Sequence, residues 1–214
     1  MGSADPNGRD NWMKEKRIMN DMIEKPKDAF VKYGVVETDP IGSIHVPLGV
    51  YEDEKKLKES VKKIPFKERR NLDEGIKNAG NEFEKNGRPE ARKIMIVFID
   101  GKDVSTVEEL KKVTEPLKKK NVKIIPVVLE DNVDKDKLKP LLHDNKKAKK
   151  GKDPKKLADE VSEETFNGKR RECEHNFIHI IILYHCEFFT DPCFAVECKA
   201  CVAKPDDSTT CGMQ

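Results

Sequence analysis

Lys93-Ile94-Met95-Ile96-Val97-Phe98-Ile99, closed by Asp100-Gly101, is the stretch that decides the fold. A strand with one wet face alternates apolar and polar residues. A run that is apolar at every position is buried on both faces, as the inner strands of a parallel sheet are. Downstream, Ser105 with Glu108 resembles a capping box ahead of a helix carrying Val107, Leu110, Val113 and Leu117, and Pro116 should kink its last turn. Val122 to Leu129 reads as a second apolar strand, followed by a short helix near 135–143. Asp153 as N-cap and Pro154 at the first helical position start a helix carrying Leu157, Ala158 and Val161.

Upstream, Asn71 with Glu74 resembles a capping box before a helix over 72–85, and 53–64 is an amphipathic helix with Leu57, Val61 and Ile64 as its stripe. Ser43 to Leu48 alternates, and Pro47 suits it to an edge. The turn Asp39-Pro40-Ile41-Gly42 separates it from a buried strand, Phe30 to Val36. A helix over 10–24 leads in, with Asp10 as its N-cap and Pro26 ending it. Helices that alternate with strands in this way predict an α/β fold: a doubly wound, mostly parallel sheet with helices on both faces. Ligands of such sheets sit at the carboxyl ends of the strands, which points to Asp100 and Gly101.

Bulk properties bound the function. The chain has 214 residues, 36% hydrophobic and 38% charged, enough for one core under a densely charged surface. Its 42 basic and 40 acidic residues leave a net charge of +2, so a global field for nucleic acid is absent. The apolar run Phe177 to Tyr184, interrupted by His179, suits a strand and is too short to cross a membrane. No G-x-S-x-G, Walker loop, G-x-G-x-x-G or H-E-x-x-H occurs, so nothing in the sequence supports catalysis and the expectation is a protein that is not an enzyme.

The cysteines are uneven. Cys173, Cys186, Cys193, Cys198, Cys201 and Cys211 crowd the end of the chain, and none precedes Cys173. An even number so placed reads as a disulfide-stapled tail in an oxidising compartment, although Met1 to Asp5 shows no secretion signal. Cys198-Lys-Ala-Cys201 also has the spacing of a zinc or redox site, so a metal-binding or redox protein acting through the tail is the rival reading. Composition changes after Lys169-Arg170-Arg171, which divides the chain into a domain over 1–165 and a Cys-rich tail over 166–214. Lys146, Lys147, Lys149 and Lys150 form either a patch for a sulfated polyanion or a solvated loop.

Several of these segments together resemble the von Willebrand factor A family. Ala91 to Lys102 resembles the family's strand that ends in Thr-Asp-Gly. Asn121-Val122-Lys123-Ile124-Ile125-Pro126-Val127-Val128 resembles its following strand. Lys32 to Val36 resembles its second strand, Gly75-Ile76-Lys77-Asn78-Ala79 part of a helix, and Asn11-Trp12 the start of its first helix. The resemblance implies a binding module with a metal-ion-dependent adhesion site. Such a site has Asp-x-Ser-x-Ser after the first strand, a Thr in a later loop, and a second Asp, which hold Mg²⁺ through oxygen ligands.

This sequence departs from that set. Asp100 matches the second Asp, but Ile99 precedes it where Thr is common, and Arg70 stands on or near the Thr position. Ser3 matches the first Ser, Asp5 replaces the other, and Met1 stands where Asp belongs. On this alignment the family's first, central strand lies upstream of Met1 and is missing from the chain. A metal could touch only Asp100 and Ser3. A cation beside Arg70 would meet a repulsion of about 4 kcal/mol per pair of unit charges ~4 Å apart. No cofactor is therefore expected, and Mg²⁺ only if an upstream segment restores the site. The resemblance implies an extracellular, secreted adhesion or matrix module. It would bind a collagen-like or other matrix protein through Asp100, Gly101, Ser3, Asp5 and Arg70.

Overall fold

The computed structural model describes residues 6–25, 30–65, 71–99, 101, 105–131, 133–143, 147–166 and 177–184. The strands are β1 (Phe30–Glu37), β2 (Ile44–Val46), β3 (Arg92–Ile99), β4 (Lys123–Val128), β5 (Lys149–Lys150) and β6 (Phe177–Tyr184). The helices are α1 (Pro6–Ile23), α2 (Glu54–Lys63), α3 (Leu72–Asn86), α4 (Val107–Lys119), the single turn α5 (Lys135–Leu138) and α6 (Pro154–Phe166). A 3-10 turn over Lys139–Leu141 completes the segment expected as a helix near 135–143. The sheet order is β2-β1-β6-β3-β4-β5, with β2 antiparallel at one edge and every other pairing parallel. None of the described helices is long and apolar enough to cross a membrane.

Alternation along the inner strands divides the core into two layers. Ile94, Ile96 and Phe98 of β3, with Ile180 and Ile182 of β6, pack with α1, α2 and α6 through Ile18, Met19, Val61 and Val161. Met95, Val97 and Ile99, with Ile181 and Leu183, pack with α3 and α4 through Ile76, Phe83, Leu110 and Leu117. Trp12 of α1 is 3% exposed, and the Lys16 ammonium sits 4.4 Å from its ring centroid, one helical turn on. Asn121, with φ 57°, reverses the chain between α4 and β4; asparagine tolerates that left-handed conformation better than most residues.

The helix starts depart from expectation in three places. The capping box of α4 is Thr106 with Glu109, one residue later than Ser105 with Glu108: the Thr106 hydroxyl accepts from Glu109 N, and Glu109 accepts from Thr106 N. Asn71 makes no side-chain cap for α3. Ser105 fills that role from across the fold, accepting from Asp73 N at 3.2 Å and donating to Asp73 Oδ1 at 2.8 Å. Helix α1 begins at Pro6, so Asp10 lies inside it.

The centre of the sheet corrects the sequence reading. The resemblance puts the family's first, central strand upstream of Met1, which leaves the place between β1 and β3 to be filled, and the sequence reading assigns 166–214 to a separate tail. In the structure Phe177–Tyr184 occupies that position, parallel to both neighbours, with Gly34, Val35 and Val36 opposite Ile181, Ile182 and Leu183 on one side. On the other side Ile94, Met95 and Ile96 face Ile180, Ile181 and Ile182. The physical reason is hydrophobic burial on both faces: Ile180, Ile181, Ile182 and Leu183 are all 0% exposed. An unfilled gap would leave the inner edges of β1 and β3 with unpaired backbone groups in the core. The His179 side chain and the six cysteines lie outside the described residues.

Candidate functional site

Three parts of the chain meet at the carboxyl end of the sheet: the exit of β1 (Glu37-Thr38-Asp39), the entry of α3 (Asn71 to Asp73), and, after β3, the described residues Gly101 and Ser105. Hydrogen bonds tie them into one frame. Asn71 N donates to the Thr38 carbonyl at 2.5 Å, joining the first two segments. Ser105 joins the second and third through Asp73. Leu129 N donates to the Ile99 carbonyl at 3.0 Å and Asn11 Nδ2 to Glu130 Oε1 at 2.6 Å, which bring the end of β4 and the first turns of α1 to the same face.

Gly101 is positioned for a reason that can be read from its backbone. Its φ is +84°, and a Cβ there would stand 3.2 Å from Val133 Cγ2. Both favour glycine at the end of β3. Ser3, Asp5, Arg70 and Asp100, the other residues expected at this site, lie outside the described residues, as does Lys146. The frame therefore fixes the described residues that flank positions 70 and 100, Asn71 on one side and Ile99 and Gly101 on the other.

The acidic groups of this face that the sequence reading passed over are Glu37, Asp39 and Asp73. Glu37 Oε2 lies 2.7 Å from His45 Nε2 on the neighbouring edge strand, with the carboxylate buried. Asp39 closes its own turn: Oδ1 accepts from Ser43 N at 2.8 Å and Oδ2 from the Ser43 hydroxyl at 2.5 Å. Asp73 is held by Ser105. For Glu37 and Asp39 the one sequence signal is the polar Glu-Thr-Asp run that ends a buried strand ahead of Pro40. Each carboxylate accepts a hydrogen bond that shapes the frame, and among the described residues no cluster of three or more His, Cys, Asp or Glu could hold a metal ion.

The lysine segment is built into the opposite edge of the sheet. Lys149 and Lys150 form the edge strand β5, and such lysines discourage pairing with a further strand. Lys149 Nζ lies 3.1 Å from Glu164 Oε2, and Lys123 Nζ 3.2 Å from Glu164 Oε1. Burial raises the Glu164 carboxyl, but hydrogen bonds and charge from Lys149 and Lys123 outweigh it and hold the group below its ordinary range. Lys150 and Lys152 both face Asp131, at 3.0 and 3.5 Å. Lys147 lines an open hollow with Glu160 and Glu164. At the amino end of the sheet, Phe30, Tyr33, Tyr51, Leu57 and Arg88 line a cavity of about 430 Å³.

Comparison with known proteins agrees with this architecture. The profile of the family described as von Willebrand factor type A domain matches residues 2–164. Among solved structures, proximal thread matrix protein 1 from the mussel byssus is 18% identical, with a TM-score of 0.59 over 73% of this chain and 42% of that one. The same protein with a zinc-occupied MIDAS motif (the metal-ion-dependent adhesion site) gives 0.60 at 18% identity, over 72% of this chain and 41% of that one. A von Willebrand factor type A protein from Catenulispora acidiphila is 20% identical, with a TM-score of 0.56, over 72% and 37%. The chain thus spans roughly two fifths of the length of these proteins. No curated protein matches the sequence. The family match ends before β6 begins.

Proposed function

Since the chain belongs to the von Willebrand factor type A domain family, whose members generally mediate protein–protein interaction or adhesion, we propose that it is a non-enzymatic extracellular module that binds a matrix protein. The partner is collagen-like or another matrix component, and it docks on the loops at the carboxyl end of the sheet. The observation that carries this reading is the frame at that end. Thr38, Asn71, Asp73 and Ser105 are joined by hydrogen bonds, and Gly101 completes the exit of β3. Rigid elements that hold variable loops are how α/β folds build binding faces. The fold shared with a thread matrix protein supports a matrix role.

Binding is independent of Mg²⁺. Arg70 stands on or near the position where the family uses a Thr ligand, and a guanidinium repels a divalent cation. The described carboxylates of the face are engaged by His45, Ser43 and Ser105. The cysteines of the tail pair as disulfides in the secreted protein.

Surface-immobilised fibrillar collagen and a panel of other matrix proteins test this. Binding to one of them should persist unchanged in a chelator and fall at least tenfold in Arg70→Glu. Calorimetry should show no micromolar Mg²⁺ site. Binding abolished by the chelator, or a micromolar Mg²⁺ isotherm, would refute the metal-independent reading. Retention of full binding by Arg70→Glu would move the contact surface elsewhere.

A further inference from the structure

The cavity at the amino end of the sheet takes no part in the carboxyl-end face. Its volume of about 430 Å³ falls in the range of about 300–1,000 Å³ typical of small-molecule sites. It lies beside the start of β1, where the edge strand gives out: β2 pairs with Val35 and Val36 alone. Beyond β2, Gly49 N donates to the Tyr33 carbonyl at 3.0 Å. The φ of Gly49 is +77°, and a Cβ there would stand 2.6 Å from Lys32 Cδ. Glycine thus leaves room for the Lys32 stem beside this turn.

Three aromatic rings (Phe30, Tyr33, Tyr51), two carboxylates (Glu52, Glu54) and two cations (Lys32, Arg88) line this space. Tyr33 is buried, and its hydroxyl donates to the Met22 carbonyl at 3.3 Å. Phe30, 68% exposed, is the one aromatic among the large apolar side chains left exposed in the described residues. The charges are sorted by face. Tyr33 and Val31 belong to the layer under α1 and α2, so alternation puts Lys32 on the opposite face, the one that α3 covers. Arg88 follows α3 by two residues, and its Nη2 donates to the Phe30 carbonyl at 3.5 Å. On the first face Asp53 caps α2 through Lys55 N and Lys56 N, which leaves Glu52 and Glu54 as the lining carboxylates. Burial pushes the Tyr33 hydroxyl up, and the charge of Glu54 pushes it further, which sets that carboxylate toward Tyr33. Glu52, Glu54 and Lys32 have no ion-pair partner among the described residues.

We propose that this cavity binds a small zwitterion, a trimethylammonium group joined to a carboxylate. Aromatic rings attract a weakly hydrated quaternary cation, and Glu52 and Glu54 supply opposite charge beside them. Arg88 and Lys32 take the carboxylate, the guanidinium through its fork of N–H donors. A bare cation would meet the repulsion of Lys32 and Arg88, and a bare anion that of Glu52 and Glu54. A ligand with both charges matches both sides, and the apolar floor of Ile23, Val31 and Leu57 receives its methylenes. The site is independent of the matrix-binding reading above.

Calorimetry on the full-length chain tests this with glycine betaine and the longer γ-butyrobetaine, which differ in charge separation. At least one should bind with a Kd below about 1 mM. Tetramethylammonium and acetate, which carry one charge each, should bind at least tenfold more weakly. Tyr51→Ala should weaken the zwitterion about three- to thirtyfold. Glu54→Gln and Arg88→Gln should each weaken it at least threefold. Urea midpoints establish that each variant is folded, and Lys32→Gln replaces Arg88→Gln if loss of the contact with Phe30 shifts the midpoint. A Kd above about 1 mM for both zwitterions overturns the proposal. So does a single-charge ion that binds less than tenfold more weakly, because one side of the cavity would then be idle. Binding unchanged in both Tyr51→Ala and Glu54→Gln overturns it too, since the zwitterion would then sit elsewhere.

Discussion

Ile182→Ala should cost about 3–4 kcal/mol of folding stability. Ile182 is 0% exposed, paired with Val35 of β1 and Ile96 of β3, and it belongs to the layer under α1, α2 and α6. The substitution deletes three carbons, worth ~2.4 kcal/mol at about 0.8 kcal/mol per buried methylene. Strands on both sides and helices on the face hold the walls apart, so a cavity term of roughly 1 kcal/mol adds to it, within the range of about 2–5 kcal/mol for such truncations. At about 2–4 °C per kcal/mol for a domain of this size, Tm should fall by about 6–16 °C. Urea unfolding followed by far-ultraviolet dichroism gives the difference directly, with the m-value unchanged. Ile41→Ala is the control: that side chain is 73% exposed, and its loss should stay within about 0.5 kcal/mol. If the two variants unfold at the same urea concentration, Phe177–Tyr184 does not lie between β1 and β3.

Other expectations follow from the same geometry. Thr106→Ala should lose about 1 kcal/mol through the broken capping box of α4, measured by urea unfolding, whereas an Asn at 106 should retain most of it. Because its lysine partners hold Glu164 below its ordinary value of 4.5, that pairing stabilises the fold above pH 4.5 and is lost as pH falls through the depressed value. Glu164→Gln should therefore be less stable than wild type at neutral pH, with the gap closing on acidification; a gap that persists at low pH would show that Lys149 and Lys123 act on it through packing alone.

The inner strands were readable because burial on both faces leaves an apolar residue at nearly every position. Lys93 to Ile99 and Val122 to Leu129 could hardly be anything else, and the alternating Ser43 to Leu48 fell at the edge, as Pro47 suggested. The run Phe177 to Tyr184 was equally readable as a strand, but its place was not. Which strands lie side by side is settled by long-range packing, and chain order carries no mark of it when the central strand is the last of the described elements. The cap of α4 fell one residue later than its sequence suggested, for a long-range reason. Ser105-Thr106 and Glu108-Glu109 offer two equivalent frames, and the choice falls to Thr106 because Asp73, 32 residues away in sequence, engages Ser105. At the candidate site, Gly101 was readable from its position after a buried strand. The engagement of Glu37, Asp39 and Asp73 was not, because it depends on partners from other segments or on a turn whose geometry no spacing rule specifies.

The lone indole of the chain gives the molecule a built-in spectroscopic reporter. Trp12 is the one tryptophan among the 214 residues, and it is 3% exposed beneath the Lys16 ammonium. Its fluorescence therefore carries no contribution from any other tryptophan and reads one event, the lifting of the first helix from its layer. A red shift that precedes the loss of dichroism on denaturation would mean that this helix departs before the sheet comes apart. Coincident transitions would mean that the layer and the sheet are a single cooperative unit.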